Sequence, residues 1–173
     1  GKIVFENYYN ESNADTKHNT RSATKTITGT LIGASIQDGL LKSVTEKAAA
    51  FSKVNNMQYP DQRKANITIE DLMTMSSMLE CDDWNEQSRG QEDRMYLIED
   101  WPKFYWDLPI KGYAEWTTKP TDAKYGRSFS YCTAGVVVLC DVINTVSGSL
   151  EKYADKALFS KLGITDYHWQ KTP

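Results

Sequence analysis

Ser22 and Lys25 stand three residues apart in Arg21-Ser22-Ala23-Thr24-Lys25, where a helical pattern begins. Residues at that spacing share one helix face a turn apart, so the amine comes within reach of the hydroxyl. A helix start carries unpaired N–H groups and the positive end of the backbone dipole, which favour negative charge. A serine there can be activated as a nucleophile by an amine instead of a histidine. In a buried helix a lysine is desolvated, and desolvation disfavours the charged amine, as a general base near neutral pH requires. The plainer reading is a serine N-cap followed by a solvated lysine, and the spacing alone does not separate the two.

Tyr131 is the second candidate, in Phe129-Ser130-Tyr131-Cys132-Thr133-Ala134-Gly135 just ahead of a small-residue helix start. A phenol projecting from a loop beside a cationic lysine is a competent proton acceptor, although the same ring suits a core or an interface. Thr133 reads as the N-cap of the apolar helix that follows. A Ser-His-Asp triad would need His18 or His168, the two histidines of the chain. His18 falls in a polar stretch four residues before Ser22, no G-x-S-x-G elbow surrounds the serine, and His18 reads as a surface residue. Neither histidine has a cysteine or carboxylate at ligand spacing, and Glu80, Asp82 and Asp83 read as a solvated acidic loop; no metal or organic cofactor is expected. Cys81, Cys132 and Cys140 are too few and too scattered for a disulfide framework and read as free buried thiols. Asn10-Glu11-Ser12 and Asn66-Ile67-Thr68 match the glycosylation sequon, a pattern common by chance.

The elements that must position these residues follow from periodicity. At 173 residues the chain suits one domain with a real core. A net charge of −3 gives no reason to expect nucleic acid as a partner, and no apolar run is long enough to span a bilayer. A loosely alternating, aromatic-rich stretch over 3–9 predicts a strand, and 10–19 a polar loop. Apolar residues at helical spacing predict a helix over 22–38 with Gly39 as its stop, and Gly29, Gly33 and Ala34 would let it approach its neighbours closely. A short helix over 45–54 and a polar loop over 55–66 come next. Thr68 and Asp71 have the spacing of a capping box opening a helix through Met75. A helix over 92–106 carries Pro102 as a kink or break, and 112–127 reads as loop. Two apolar helices follow over 134–146 and 150–158, punctuated by Gly148 and Gly163, then a returning strand at Tyr167-His168-Trp169.

Three stretches taken together resemble the serine β-lactamase-like family. They are Ser22-x-x-Lys25; Thr68-Ile69-Glu70-Asp71-Leu72-Met73-Thr74-Met75-Ser76-Ser77; and Tyr125-Gly126-Arg127-Ser128-Phe129-Ser130-Tyr131-Cys132-Thr133-Ala134-Gly135. The chain is most similar to the branch of class C β-lactamases, D-alanyl-D-alanine carboxypeptidases and related esterases and amide hydrolases. Leu158 to Ile164 resembles that family's helix exit. The resemblance implies an α+β, β-lactamase/transpeptidase-like fold, represented over 1–173 mostly by its helical region, the nucleophile helix and a few sheet strands. It implies Ser22 as the acylated nucleophile, Lys25 as its proton partner, Tyr131 as a shuttle with Lys25, and the Ser22 N–H as half of an oxyanion hole. The substrate would be a small-molecule ester, amide or peptide.

Two departures shape the expectation. Thr133 stands at the third position of the family's Y-x-N motif, where it would face substrate without an amide, which points to an esterase or simple amidase rather than a β-lactamase. The K/H-T/S-G motif is absent, Lys171-Thr172-Pro173 being a chance likeness, so the chain reads as a partial domain whose later strands lie beyond residue 173. The alternative is a non-catalytic relative that binds cell-wall peptide or another ligand in the same cleft. No leader is visible ahead of Gly1, yet the resemblance implies a periplasmic or secreted protein.

Overall fold

The computed structural model describes residues 1–111 and 129–170. Six α-helices carry the core: α1 (Thr24–Gln37), α2 (Ile69–Met73), α3 (Glu92–Met95), α4 (Trp101–Asp107), α5 (Thr133–Ser147) and α6 (Leu150–Ala154). Helix α5 is the hub, packed against α1, α2, α4 and α6. Its Ala134, Val138, Leu139, Val142 and Ile143 are buried, a stripe wide enough to meet neighbours on several sides. Gly148 ends it in the left-handed region at φ 79°, as a helix stop requires.

Helix α1 buries Thr28, Leu31, Ile32 and Ser35, spaced i, i+3, i+4, i+7. Half of that stripe is polar and small. The Ser35 hydroxyl is satisfied by donating to the Leu31 carbonyl at 2.8 Å, and Thr28 Oγ1 lies 3.6 Å from Cys140 Sγ on α5. The glycines expected to mediate close approach do not: a Cβ at Gly33 would meet nothing within 4 Å, and one at Gly29 only the tip of Met73 at 4.0 Å. At the far end of α1, Asp38 accepts a hydrogen bond from the Tyr153 hydroxyl of α6 at 2.9 Å.

Other elements show where local rules win. Thr68 and Asp71 form the expected capping box, with Asp71 N–H to Thr68 Oγ1 at 3.1 Å and Thr68 N–H to Asp71 Oδ2 at 2.8 Å. Helix α2 then stops at Met73 rather than Met75, because Met75 turns into the left-handed region at φ 53°. The helix expected over 92–106 is two helices, α3 and α4. Pro102 sits in the first turn of α4, where its missing N–H costs nothing, behind an Asp100 cap that accepts from Lys103 N–H at 2.9 Å. The helix expected over 45–54 is a 3₁₀ turn, Ala48–Phe51. Tyr105 and Trp106 of α4 are fully buried, and so is Lys64, whose Nζ donates to the Trp106 carbonyl at 2.6 Å. Burial pulls the Lys64 amine below its ordinary range, with Asp107 and Asp61 pulling the other way.

Two expectations are not met among the described residues. Among the described residues there is no strand, only isolated bridges at Lys47–Thr68 and Leu79–Ile110, so the sheet part of the expected α+β fold is not among them. The segment 3–9 finds no ladder partner in the described residues, and Ile3, Val4 and Phe5 stay 81%, 94% and 77% exposed. Residues Tyr167 and Trp169 are held by their rings against Phe159, centroids 4.6 and 6.1 Å away, not by a ladder. The second correction concerns the cysteines: Cys81 and Cys132 form a disulfide, and only Cys140 is free. Fifty-one residues separate the pair in sequence, and nothing local announces that the fold closes that distance. The expected loop over 112–127 and Lys171-Thr172-Pro173 lie outside the described residues.

Gly90 marks the tightest approach beneath the loop that carries Cys81. A Cβ there would meet the Glu80 carbonyl oxygen at 2.6 Å, Cys81 Cα at 2.7 Å and Leu108 Cδ1 at 2.7 Å. Two of the three are backbone atoms, which cannot swing aside. Gly90→Ala is expected to destabilise the fold by about 1–3 kcal/mol in urea unfolding, the cost of overpacking a filled site. An unchanged midpoint would mean that the loop relaxes freely.

Candidate active site

Ser22 lies in the 3₁₀ turn Arg21–Ala23 that leads into α1. Arg21 holds a left-handed φ of 48°, fixed by its N–H donating to Asn19 Oδ1 at 2.8 Å, and the turn closes through Ala23 N–H to the Thr20 carbonyl at 3.0 Å. A non-glycine residue in that region is strained, so the turn is over-determined by its contacts. The N-cap of α1 is Ala23, with no side-chain cap, so the Ser22 hydroxyl is not spent on capping. It is exposed, and its partner is Lys25: Nζ donates to Ser22 Oγ at 3.0 Å.

Lys25 is half-buried, and its second neighbour is Tyr131, whose ring centroid lies 5.2 Å from Nζ. The structure therefore brings Ser22, Lys25 and Tyr131 together from segments more than a hundred residues apart. The contact is to the face of the ring, the geometry in which a cation meets the quadrupole of an aromatic. Among the described residues the Tyr131 hydroxyl makes no hydrogen bond to either partner. Trp84, 81% exposed, also packs against Tyr131, with centroids 5.8 Å apart and planes tilted by 55°.

What holds Tyr131 there is a set of ties that sequence reasoning missed. The loop that follows α2, turned by Met75 and Met78, both left-handed, receives Ser130 N–H at the Met75 carbonyl and Lys111 N–H at the Met78 carbonyl, at 2.9 and 2.8 Å. The Tyr131 carbonyl accepts from Asp83 N–H at 2.9 Å, and the next residue carries the disulfide. The cap of α5 is Cys132, not Thr133: Gly135 N–H donates to Cys132 Sγ at 3.3 Å. Thr133 is the first helical residue, and both its N–H and its hydroxyl donate to Asp83 Oδ2, at 2.9 and 2.6 Å. Asp83, read from sequence as a solvated loop residue, is half-buried at a helix N-terminus. Burial pushes its carboxyl above the usual range, the Thr133 hydrogen bonds oppose that rise, Glu92 adds to it and Lys25 works against it. No spacing rule links an aspartate to a helix fifty residues later.

His18 and His168 are exposed, and among the described residues no group of three His, Cys, Asp or Glu side chains is placed to hold a metal ion. No helix among them is single, long and apolar enough to cross a membrane. Chemically, the arrangement offers an unencumbered hydroxyl, an amine in hydrogen-bond contact with it and a phenol ring beneath the amine.

A family model described as Beta-lactamase matches residues 1–173. Proteins of that family are in general hydrolytic serine enzymes acting on small-molecule or peptide substrates, on a β-lactamase/transpeptidase-like fold whose helical part corresponds to what the described residues contain. No curated protein gives a match.

The disulfide is the one covalent link between the two loops that frame Tyr131. Replacing both partners (Cys81→Ser with Cys132→Ser) is expected to cost about 2–4 kcal/mol in urea unfolding, since the bridge restrains a long loop of the unfolded chain. Intact-mass analysis after alkylation without reductant checks the premise: one free thiol is expected, and three would refute the bridge.

Proposed function

Because this chain belongs to the Beta-lactamase family, we propose that it is a serine hydrolase in which Ser22 attacks the carbonyl of an ester or amide and holds the acyl group until water removes it. The observation that carries this reading is the 3.0 Å contact between Lys25 Nζ and Ser22 Oγ, made by an amine that also rests on Tyr131. In the attack, the new Oγ–carbon bond forms as the hydroxyl proton passes to the unprotonated Lys25 amine, with the Tyr131 phenol as the other end of the shuttle. The carbonyl oxygen takes up the negative charge, and the Ser22 N–H, at the start of a helix, is one donor available to it. The proton then goes to the leaving alcohol or amine as the tetrahedral intermediate collapses. Water repeats the sequence in reverse order of roles, releasing the acid and restoring the serine. Thr133 gives its proton to Asp83 and so offers substrate an acceptor oxygen only. A periplasmic or secreted location fits the Cys81–Cys132 bridge, since such bonds persist in oxidising compartments.

A second reading, a non-catalytic relative that binds cell-wall peptide or another ligand in the same cleft, is favoured by threonine at position 133, where the family's motif has asparagine. A fluorophosphonate probe, followed by intact mass, separates the two. The hydrolase reading expects a single adduct on the wild-type chain, none on Ser22→Ala, and labelling slowed by roughly 10²–10⁴-fold in Lys25→Ala, the usual range for loss of a general base. A wild-type chain that gains no adduct, from this probe or from a penicillin, supports the binding reading. Labelling that survives Lys25→Ala at full rate would remove the lysine from the mechanism.

A further inference from the structure

Four consecutive residues, 130–133, are each tied to residues 81–83. Ser130 Oγ donates to the Cys81 carbonyl at 2.6 Å, the Tyr131 carbonyl accepts from Asp83 N–H, Cys132 is bonded to Cys81, and Thr133 donates twice to Asp83 Oδ2. Only the last of these needs a particular side chain at position 83. A serine or asparagine would satisfy Thr133 N–H as well as an aspartate does, with no charge to desolvate. The carboxylate instead carries an evident cost. Its Oδ1 is buried without a hydrogen-bond partner, and burial pushes its carboxyl above the ordinary range. A buried acceptor left unpaired keeps the full cost of its desolvation. Capping α5 does not account for that expense, so the charge must act on something else.

The charged and titratable groups that reach Asp83 are Lys25 on α1, Glu92 on α3 and the Tyr96 phenol that follows α3. Tyr96 donates its hydroxyl to Glu92, so those two are engaged with each other. Lys25 is the cation of the set, and it rests on the ring of the residue whose carbonyl Asp83 holds. We propose that Asp83 is a positioning residue of the hydrolase site: it fixes Tyr131 and Thr133 at the start of α5 and sets a negative charge that orients the Lys25 amine between Tyr131 and Ser22. This rests on the serine-hydrolase reading.

Asp83→Asn is the deciding variant, because it keeps an acceptor for Thr133 and removes the charge. Its melting temperature should stay within a few degrees of wild type. The plateau rate of fluorophosphonate labelling at Ser22 should fall at least tenfold, since the charge that orients the Lys25 amine is gone. Asp83→Glu should recover part of the rate. An Asp83→Asn chain that labels at the wild-type plateau overturns the proposal. A wild-type chain that shows no Ser22 adduct overturns the hydrolase reading instead, and positioning is then decided by spectra of chains carrying ¹³C-labelled tyrosine. The Trp84 ring current displaces the Tyr131 resonances, and Asp83→Ala should return them towards free tyrosine. Resonances unchanged by Asp83→Ala in a folded chain overturn the positioning role whatever the activity.

Discussion

The tie between residues 81–83 and 130–133 is the constraint on which the candidate site depends. Ser22 and Lys25 are placed by local rules, a 3₁₀ turn running into α1, and would sit together in almost any context. Tyr131 is placed by nothing local: it precedes α5 in an irregular stretch, and its ring reaches Lys25 only because that stretch cannot swing. One covalent bond, two backbone-anchored hydrogen bonds and a doubly used carboxylate act on four successive residues. Fastening consecutive residues removes rotational freedom that a single bond would leave, which is how a catalytic geometry is held to fractions of an ångström.

That tie works only if α5 and α1 are themselves fixed relative to each other. Their contact includes the small, hydroxyl-bearing Thr28 against Cys140 as well as the larger apolar side chains of α1. Short side chains bring the two backbones close and leave little room for sliding, because packed interiors do not deform continuously. Around α5 the polar groups that burial would strand are mostly answered by specific partners: Lys64 by the Trp106 carbonyl, the Tyr153 hydroxyl by Asp38. A core that spends buried polar groups in this way specifies one arrangement rather than a family of similar ones.

The helices were legible where their rules are local. The stripe of α1, the Thr68–Asp71 box, the apolar run of α5 and the Gly148 and Gly163 stops all follow from spacing and from backbone conformation. The pairing of Ser22 with Lys25 was legible for the same reason. Tyr131 is a candidate from its place ahead of a small-residue helix start, but only the resemblance pairs it with Lys25, since a lone tyrosine before a helix says nothing about what lies opposite. The misreadings share one cause. Asp83 as solvated, Cys81 and Cys132 as free thiols, Thr133 as the cap and Gly29 and Gly33 as the contact face were all judged from near neighbours. Each was decided by a residue about fifty or more positions away or by which face of a helix the core happened to claim. The segment 3–9 has the alternation of a strand, but alternation states a preference, and a ladder needs a second segment to complete it.

Threonine at position 133 changes what the site can recognise more than what it can catalyse. Attack by Ser22 needs an amine and a place for the oxyanion, and neither depends on residue 133. An asparagine there would present substrate with a donor and an acceptor from one amide. Thr133 instead turns its proton inward to Asp83, at 2.6 Å, and the carboxylate that receives it keeps its second oxygen buried. Both polar groups are thus committed to holding the site together. Recognition by amide pairing is lost, because a side chain that anchors the scaffold cannot also adapt to a ligand. On the hydrolase reading proposed above, substrates that ask least of this wall, esters and simple amides, are the ones such a site would accept.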